Sequence, residues 1–582
     1  MSKKTLEVRA GFGGDNIAKQ IAHTWHIYHT QKQEVVTRWK ELRNYIFATD
    51  TSTTSNKSLP WKNSTTLPKL TQIRDNLHSN YVSALFPNDN WIRWEAYSKN
   101  DDTKDKVKTI EAYMGNKTRE SDFRSECSKL LYDYIDYGNS FATVYYESSF
   151  STNEKGEKVI DYIGPRISRI SPLDIVFNPL ASSFRDSFKI IRSVKTIGEL
   201  KLMAQNEPDN AYLKKALEQR DKLIRHAQSY GLEMNDKEEG FQIDGFGNYY
   251  DYLQSGYVEF LEFFGDIHDE VTGQVKTNKV ITIVDRMWTI REQDIPSWLG
   301  HAPIYHVGWR SRPDNLWAQG PLENLVGMQY RIDHLENLKS DAMDLAVLPP
   351  LVIKGEVEEF TYGPGVEIHV DEAGDVTELA KNVQWVIQAD NAISILEQRM
   401  EMYAGAPREA MGIRSAGEKT AFEVQQLQNA AGRIFQEKIT TFEIQLLEKC
   451  LNAMFETAKR NLDRTDMIRV LDDDLGIEKI QAITKEDITA SGKLRPIGAR
   501  HFAAQAQLTQ NLASISNTPI WQQISPHLQT KNLAALVEDV LNLGRYDLFK
   551  PNAAVFDQQE TARLANQAQE DLMAESAVPV TQ

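Results

Sequence analysis

The residues best placed to do chemistry form a glycine-punctuated block, Gly412-Ile-Arg-Ser-Ala-Gly417-Glu-Lys419-Thr420. Its spacing approaches that of a phosphate-binding P-loop, where backbone N–H groups cradle phosphates, a lysine reaches them and a hydroxyl meets Mg²⁺. Two features weigh against an ATP-dependent nucleic-acid motor built on Gly412–Thr420. Glu418 places an anion where an anion must be held, and the block follows a helical pattern where the motif requires a strand.

Other chemistry-bearing residues lead to the same place. The run Asp472-Asp473-Asp474 offers oxygens to a hard cation but has no spaced partner carboxylates, so it reads as a solvated turn. His301 and His306 flank a strand pattern and belong to no HExxH or Cys/His cluster. No nucleophile elbow occurs. The expectation is a protein that is not an enzyme, with no catalytic residue, no metal and no cofactor. What remains is basic: Arg408, Arg414 and Lys419 lie on a loop between two long helical patterns. Such a loop can project into a central space and touch a phosphate backbone without reading bases. The same charges equally suit an ordinary surface loop.

Composition bounds the scaffold. At 582 residues the chain should hold roughly four structural units of about 150 residues. Hydrophobic residues make up 41% and charged residues 25%, enough for sizeable cores. The 66 Lys and Arg against 82 Asp and Glu leave a net charge of −16, which disfavours tight, enveloping DNA binding. Cys127 and Cys450 are too few for a disulfide framework, and each sits on an apolar helical stripe, so both are expected as buried thiols. The opening residues lack the apolar run of a signal peptide, and no stretch approaches the ~18 apolar residues of a membrane span. A reducing compartment and no membrane are expected.

Hydrophobic spacing supplies the elements that must position these groups. Ile17, Ile21, Trp25, Tyr28, Val35, Trp39, Leu42 and Ile46 predict an amphipathic helix or helix pair. A Ser/Thr/Asn-rich connector at 49–66 leads to helices carrying Leu70, Ile73, Leu77 and Tyr81, then Phe123, Cys127, Leu130 and Tyr134. From Ser140 the period changes to two, with strands over 141–146 and 159–163 forming a hairpin and further strands at 257–264, 280–284 and 304–309. The first 310 residues read as an α+β body. Pro321 is well placed to open a helix whose stripe is Leu325, Met328, Ile332, Leu335 and Leu338, while Arg331, Asp333, Glu336, Lys339 and Asp341 give its opposite face a solvated or subunit-facing charge mix. A small α/β piece follows, with Ile353, Lys354, Phe360, Tyr362, Val366, Ile368 and Val370, and a second helix returns through Ile393, Leu396, Met400 and Tyr403. Beyond the glycine-rich loop, 418–460 reads as one long helix bent near Gly432. A last β-like piece and an Ala/Gln-rich helical region end the chain.

Three stretches carry a resemblance. They are the helix beginning Gly320-Pro-Leu-Glu-Asn-Leu-Val-Gly, the block Ala406-Pro-Arg-Glu-Ala-Met-Gly-Ile-Arg-Ser-Ala-Gly417, and Gly492-Lys-Leu-Arg-Pro-Ile-Gly-Ala-Arg-His501. Together with the order of elements over nearly the whole chain, they resemble the portal (head-tail connector) proteins of short-tailed bacteriophages. The resemblance implies an α+β, mainly helical fold. Its parts would be a wing (1–319), a first stem helix (320–346), a clip (347–388), a second stem helix (389–404), a tunnel loop (405–420), a long wing helix with a β part (421–497) and a helical crown (498–582). It further implies a homo-oligomeric ring, typically of twelve copies, at one capsid vertex of the virion, made in the host cytoplasm. Double-stranded DNA would pass through its axis without sequence recognition. Terminase large subunit, tail adaptor or nozzle proteins, and major capsid and scaffolding proteins would be its partners. Arg408, Arg414 and Lys419 would be tunnel-loop residues facing DNA, and the ATPase would belong to the terminase. A non-channel virion scaffold or adaptor is the alternative.

Overall fold

The computed structural model describes residues 15–47, 63–86, 91–98, 104–152, 158–206, 210–211, 213–218, 220–221, 256–269, 273–296, 300–347, 351–354, 376–378, 384–404, 434–462, 466–472 and 477–497. In chain order the elements are α1 (Asn16–Phe47), α2 (Lys69–Leu85), β1 (Ile92–Ala96), α3 (Lys104–Glu120), α4 (Phe123–Asp136), β2 (Asn139–Thr152), β3 (Lys158–Ile170), β4 (Ile175–Phe177), β5 (Lys189–Thr196) and α5 (Ile197–Asn206). Strands β6 (Tyr257–His268), β7 (Val275–Val284), β8 (Trp288–Asp294), β9 (Ile304–Gly308), β10 (Arg310–Arg312) and β11 (Asn315–Gln319) follow. Then come α6 (Val326–Val347), β12 (Leu351–Ile353), β13 (Val376–Glu378), α7 (Gln384–Tyr403), α8 (Glu448–Asn461), β14 (Asp466–Asp472), β15 (Ile477–Ile483), α9 (Lys485–Ile488) and β16 (Gly492–Pro496). Every strand pairing described is antiparallel, so the fold is α+β.

The chain divides into two compact units, Met1–Ser83 with Lys117–Asn461, and Ala84–Asn116 with Leu462–Gln582. In the first, a five-stranded sheet of order β4-β5-β6-β7-β8 is buried on both faces. Because side chains alternate along a strand, Leu261 and Phe263 of β6 join Ala18, Ile21 and Trp25 of α1 on one side. Val258 and Phe260 turn the other way and pack with Leu200, Leu213 and Ala216. One continuous helix, not a pair, thus spans 16–47. Its buried stripe includes Lys32, whose ammonium donates to the carbonyls of Leu173 and Ile175 at 2.9 and 3.0 Å.

A second sheet, β3-β2-β9, carries the expected 141–146/159–163 hairpin. Here His306 lies within β9 and does not flank it. It stacks on Phe141 at 4.6 Å and meets Asn139 through Nε2 at 3.1 Å, and burial pushes its pKa down to about 3, so it is a neutral core residue. Cys127 and Cys450 are both buried, and burial raises both thiols.

At the junction before α6 the backbones of Gly138 and Gly320 pass close together. Gly138 has φ +66°, and a Cβ on it would lie 2.3 Å from the Gly320 nitrogen. Gly138→Ala therefore combines a left-handed backbone with a backbone clash, and should cost at least about 2–3 kcal/mol. Thermal unfolding checks this, and an unchanged midpoint would refute the close packing.

The second unit pairs β1 with β16 in the register Ile92↔Pro496 to Ala96↔Gly492, and β14 with β15. The Glu111 carboxylate of α3 accepts the Trp94 N–H at 2.8 Å.

Several expectations need correction. Pro321 does not open the helix: a 3-10 turn, Glu323–Leu325, intervenes, with the Glu323 carboxylate accepting the Gly320 N–H at 3.1 Å, and the α-helix begins at Val326. The second helix begins at Gln384, inside the stretch expected as clip. The long-helix expectation is described over 434–461, interrupted by a π-turn at Glu443–Leu447, a known source of helix irregularity. The expected bend at Gly432 and the crown lie outside the described residues.

Candidate functional site

The candidate site is the pair α6 and α7 with the small β12–β13 hairpin between them. Pairing of Leu351↔Glu378, Val352↔Thr377 and Ile353↔Val376 closes that hairpin. The two helices run antiparallel. Lys339 of α6 meets Asp390 of α7 at 2.9 Å and Glu336 on its own helix at 2.6 Å, while at the other end Gln329 and Glu401 both reach residues 69–70.

The face that α6 buries is polar. Gln329, Asp333 and Asn337, four residues apart and therefore aligned on one face, are each no more than 1% exposed. They read the backbone of an extended strap, residues 63–68, and of the first turn of α2, in antiparallel order. Asp341 accepts the Asn63 N–H at 2.9 Å, and Asn337 accepts the Thr65 N–H at 2.8 Å while donating to the Thr65 carbonyl at 2.9 Å. Asp333 accepts the Leu67 N–H at 3.0 Å, and Gln329 accepts from Leu70 at 3.1 Å while donating to the Leu67 carbonyl at 2.5 Å. The match is geometric: two residues of extended chain advance about 6.6 Å and four residues of helix about 6.0 Å. Lys69 then bonds Glu401 at 2.6 Å, both side chains buried, which ties the strap to α7.

Asp333 carries the electrostatic cost of this arrangement. Burial raises its pKa to about 7 against the opposing hydrogen bonds from Leu67 and Gln329, and its Oδ2 has no partner among the described residues.

The sequence placed Asp333 on a solvated or subunit-facing face, opposite the apolar stripe Leu325, Met328, Ile332, Leu335 and Leu338; the structure buries Asp333 and divides that stripe. Leu325 and Ile332 are buried, Met328 and Leu335 half-buried, and Leu338 is 42% exposed. Met328 and Leu338 stand about 100° round the helix from the line that faces the strap, and Leu335 about 160°. On α7, Ile393 and Met400 are buried and Leu396 half-buried. Ile353 and Lys354 are exposed. Phe360, Tyr362, Val366, Ile368, Val370, Arg408, Arg414 and Lys419 lie outside the described residues. The ladder itself was missed; its signal was the strict four-residue spacing of Gln329, Asp333, Asn337 and Asp341, combined with amide and carboxylate types that both accept and donate.

Away from the strap, both helices leave large apolar side chains in water. Met343, Leu345 and Ile395 are exposed, Ile387 is 61% exposed, Met402 is 67% exposed, and Val352 and Ile353 of β12 are exposed as well. Among the described residues no three His, Cys, Asp or Glu side chains group to hold a metal, and no helix is long and apolar enough to cross a membrane. Comparison of the sequence with protein-family models and with curated proteins finds no match to either.

Proposed function

We propose that this protein is a ring-forming portal, the head-tail connector at one capsid vertex of a short-tailed bacteriophage. The observation that carries the reading is the apolar surface of α6, α7 and β12. A soluble monomer rarely leaves large exposed apolar surface in water, and here exposed Met, Leu, Ile and Val side chains recur along both helices and β12. Their place on two antiparallel helices suits a head-to-tail contact with the next copy, and such contacts close into a ring when the rotation closes. Helices of this kind need partners on more than one side, which accounts for a polar strap on one face of α6 and apolar groups on another.

In this reading the ring, of about twelve copies, conducts double-stranded DNA during packaging and ejection. It docks terminase and later tail adaptor proteins, and it meets capsid and scaffolding proteins at the vertex. It catalyses nothing. Net negative charge keeps the conduit from gripping DNA, and Arg408, Arg414 and Lys419 make brief phosphate contacts.

Negative-stain images of the purified full-length protein test the reading. Rings with a central hole are expected; monomers, as a plain adaptor would give, or open filaments overturn it. Ile387→Glu places a charge on the exposed apolar face and should disperse the rings to monomers without altering monomer secondary structure. Rings of unchanged stability in that variant would remove α7 from the interface.

A further inference from the structure

A cavity of about 270 Å³ lies where α1 passes β4 and the β10–β11 hairpin. Its wall is aromatic: Phe177 and Trp317 pack at 4.5 Å between ring centroids, and Tyr28 stands on the helical side. Its charge is positive. The Lys32 ammonium, held by two backbone carbonyls, sits 5.2 Å from the centroid of the Trp317 ring. Arg38 and Arg312 line the same cavity with exposed side chains. Among the described residues neither guanidinium makes a hydrogen bond or an ion pair, apart from a longer-range attraction of Arg38 to Glu323. Glu34 is the one carboxylate among the lining residues, so three cations face one anion. Asn315 spends its carbonyl oxygen on the Trp317 N–H at 2.8 Å, which leaves its amide N–H₂ as a donor at the same wall.

From this combination we infer that the cavity binds a small anion carried on a flat ring, with a carboxylate or phosphate head between Arg38 and Arg312 and the ring against Trp317 and Tyr28. Each part has a physical reason. Planar guanidinium groups match carboxylate and phosphate oxygens two at a time. An aromatic wall rewards a planar apolar body, while the polar remainder of the lining suits a charged head. The volume falls near the lower end of ligand sites, about 300 Å³, so it suits one ring with its head. The inference does not depend on the ring-forming proposal, because every lining residue comes from one chain.

Calorimetric titration of the full-length protein with sodium benzoate, phenyl phosphate and inorganic phosphate tests it. Saturable binding of benzoate or phenyl phosphate is expected, at least about tenfold tighter than inorganic phosphate, and weaker as salt rises. Whichever of the two ring-bearing anions binds tighter identifies the preferred head. Arg38→Gln and Arg312→Gln should each weaken binding by about tenfold while leaving the unfolding midpoint unchanged, since both side chains are exposed. Three results would overturn the inference: no saturable binding of either ring-bearing anion, inorganic phosphate binding as tightly as phenyl phosphate, or affinity indifferent to both substitutions.

Discussion

Asp333→Asn stabilises the protein at pH 8 and leaves it nearly unchanged at pH 4. The Asp333 carboxyl is 1% exposed, and burial lifts its pKa from the ordinary 3.8 to about 7. A folded-state pKa above the unfolded value means that the native state favours the proton. The associated stability is fully present below about pH 4 and is lost as pH rises from there through about 7. At 1.36 kcal/mol for each pKa step, the ionised carboxylate costs up to about 4 kcal/mol at pH 8. The ionisable groups on neighbouring segments, Lys69 paired with Glu401, Lys339 paired with Glu336, and Asp341 at the strap, do not account for the shift, which comes from burial against two hydrogen bonds. Asparagine keeps an oxygen for the Leu67 N–H and for Gln329 and has no charge to bury. Hydrogen exchange at the amides of Thr65, Leu67 and Leu70 provides the local readout. In the wild type their opening, corrected for intrinsic rate, should increase between pH 5 and pH 8, and in the variant it should not. Parallel pH profiles for the two proteins would show that Asp333 is not the titrating group.

Glu259→Gln should lose about 3–5 kcal/mol, the usual cost of removing one partner of a buried ion pair. The turn between β7 and β8 holds two consecutive left-handed residues, Asp285 at φ 50° and Arg286 at φ 57°, in a conformation that favours Asn and Gly. Both side chains are buried and paired. Arg286 donates to the two Glu259 oxygens at 2.7 and 2.8 Å, and Arg220 pairs with Asp285 while donating to the Tyr257 carbonyl at 2.6 Å. Loss of the Glu259 charge leaves a guanidinium buried with 4% exposure beside a strained turn. Urea unfolding measures the loss, and a change below about 1 kcal/mol would show that the pair is not needed. The double change Glu259→Met with Arg286→Met should recover most of it, because an apolar pair removes both desolvation costs together.

The two sites differ in how far sequence pattern could reach them. Alternating apolar residues made β6 and β7 legible as strands, and the three- and four-residue stripe from Ile17 to Ile46 made α1 legible as a helix, because in both the burial pattern repeats with the local period. The turn at Asp285 and Arg286 offered no glycine to betray it. The polar face of α6 was misjudged for a related reason: a carboxylate on a helix is ordinarily solvated, and only a distant partner makes its burial tolerable.

Local sequence determined most of the elements of this protein, its buried thiols, and two long apolar-bearing helices separated by a short non-helical segment. Those features follow from periodicity and side-chain chemistry within a few turns of chain. Tertiary structure decided which face of α6 is inside. Asp333 is buried because Leu67, 266 positions earlier, brings a backbone N–H to its oxygen, and a hydrogen bond across that separation leaves no periodic trace in the chain.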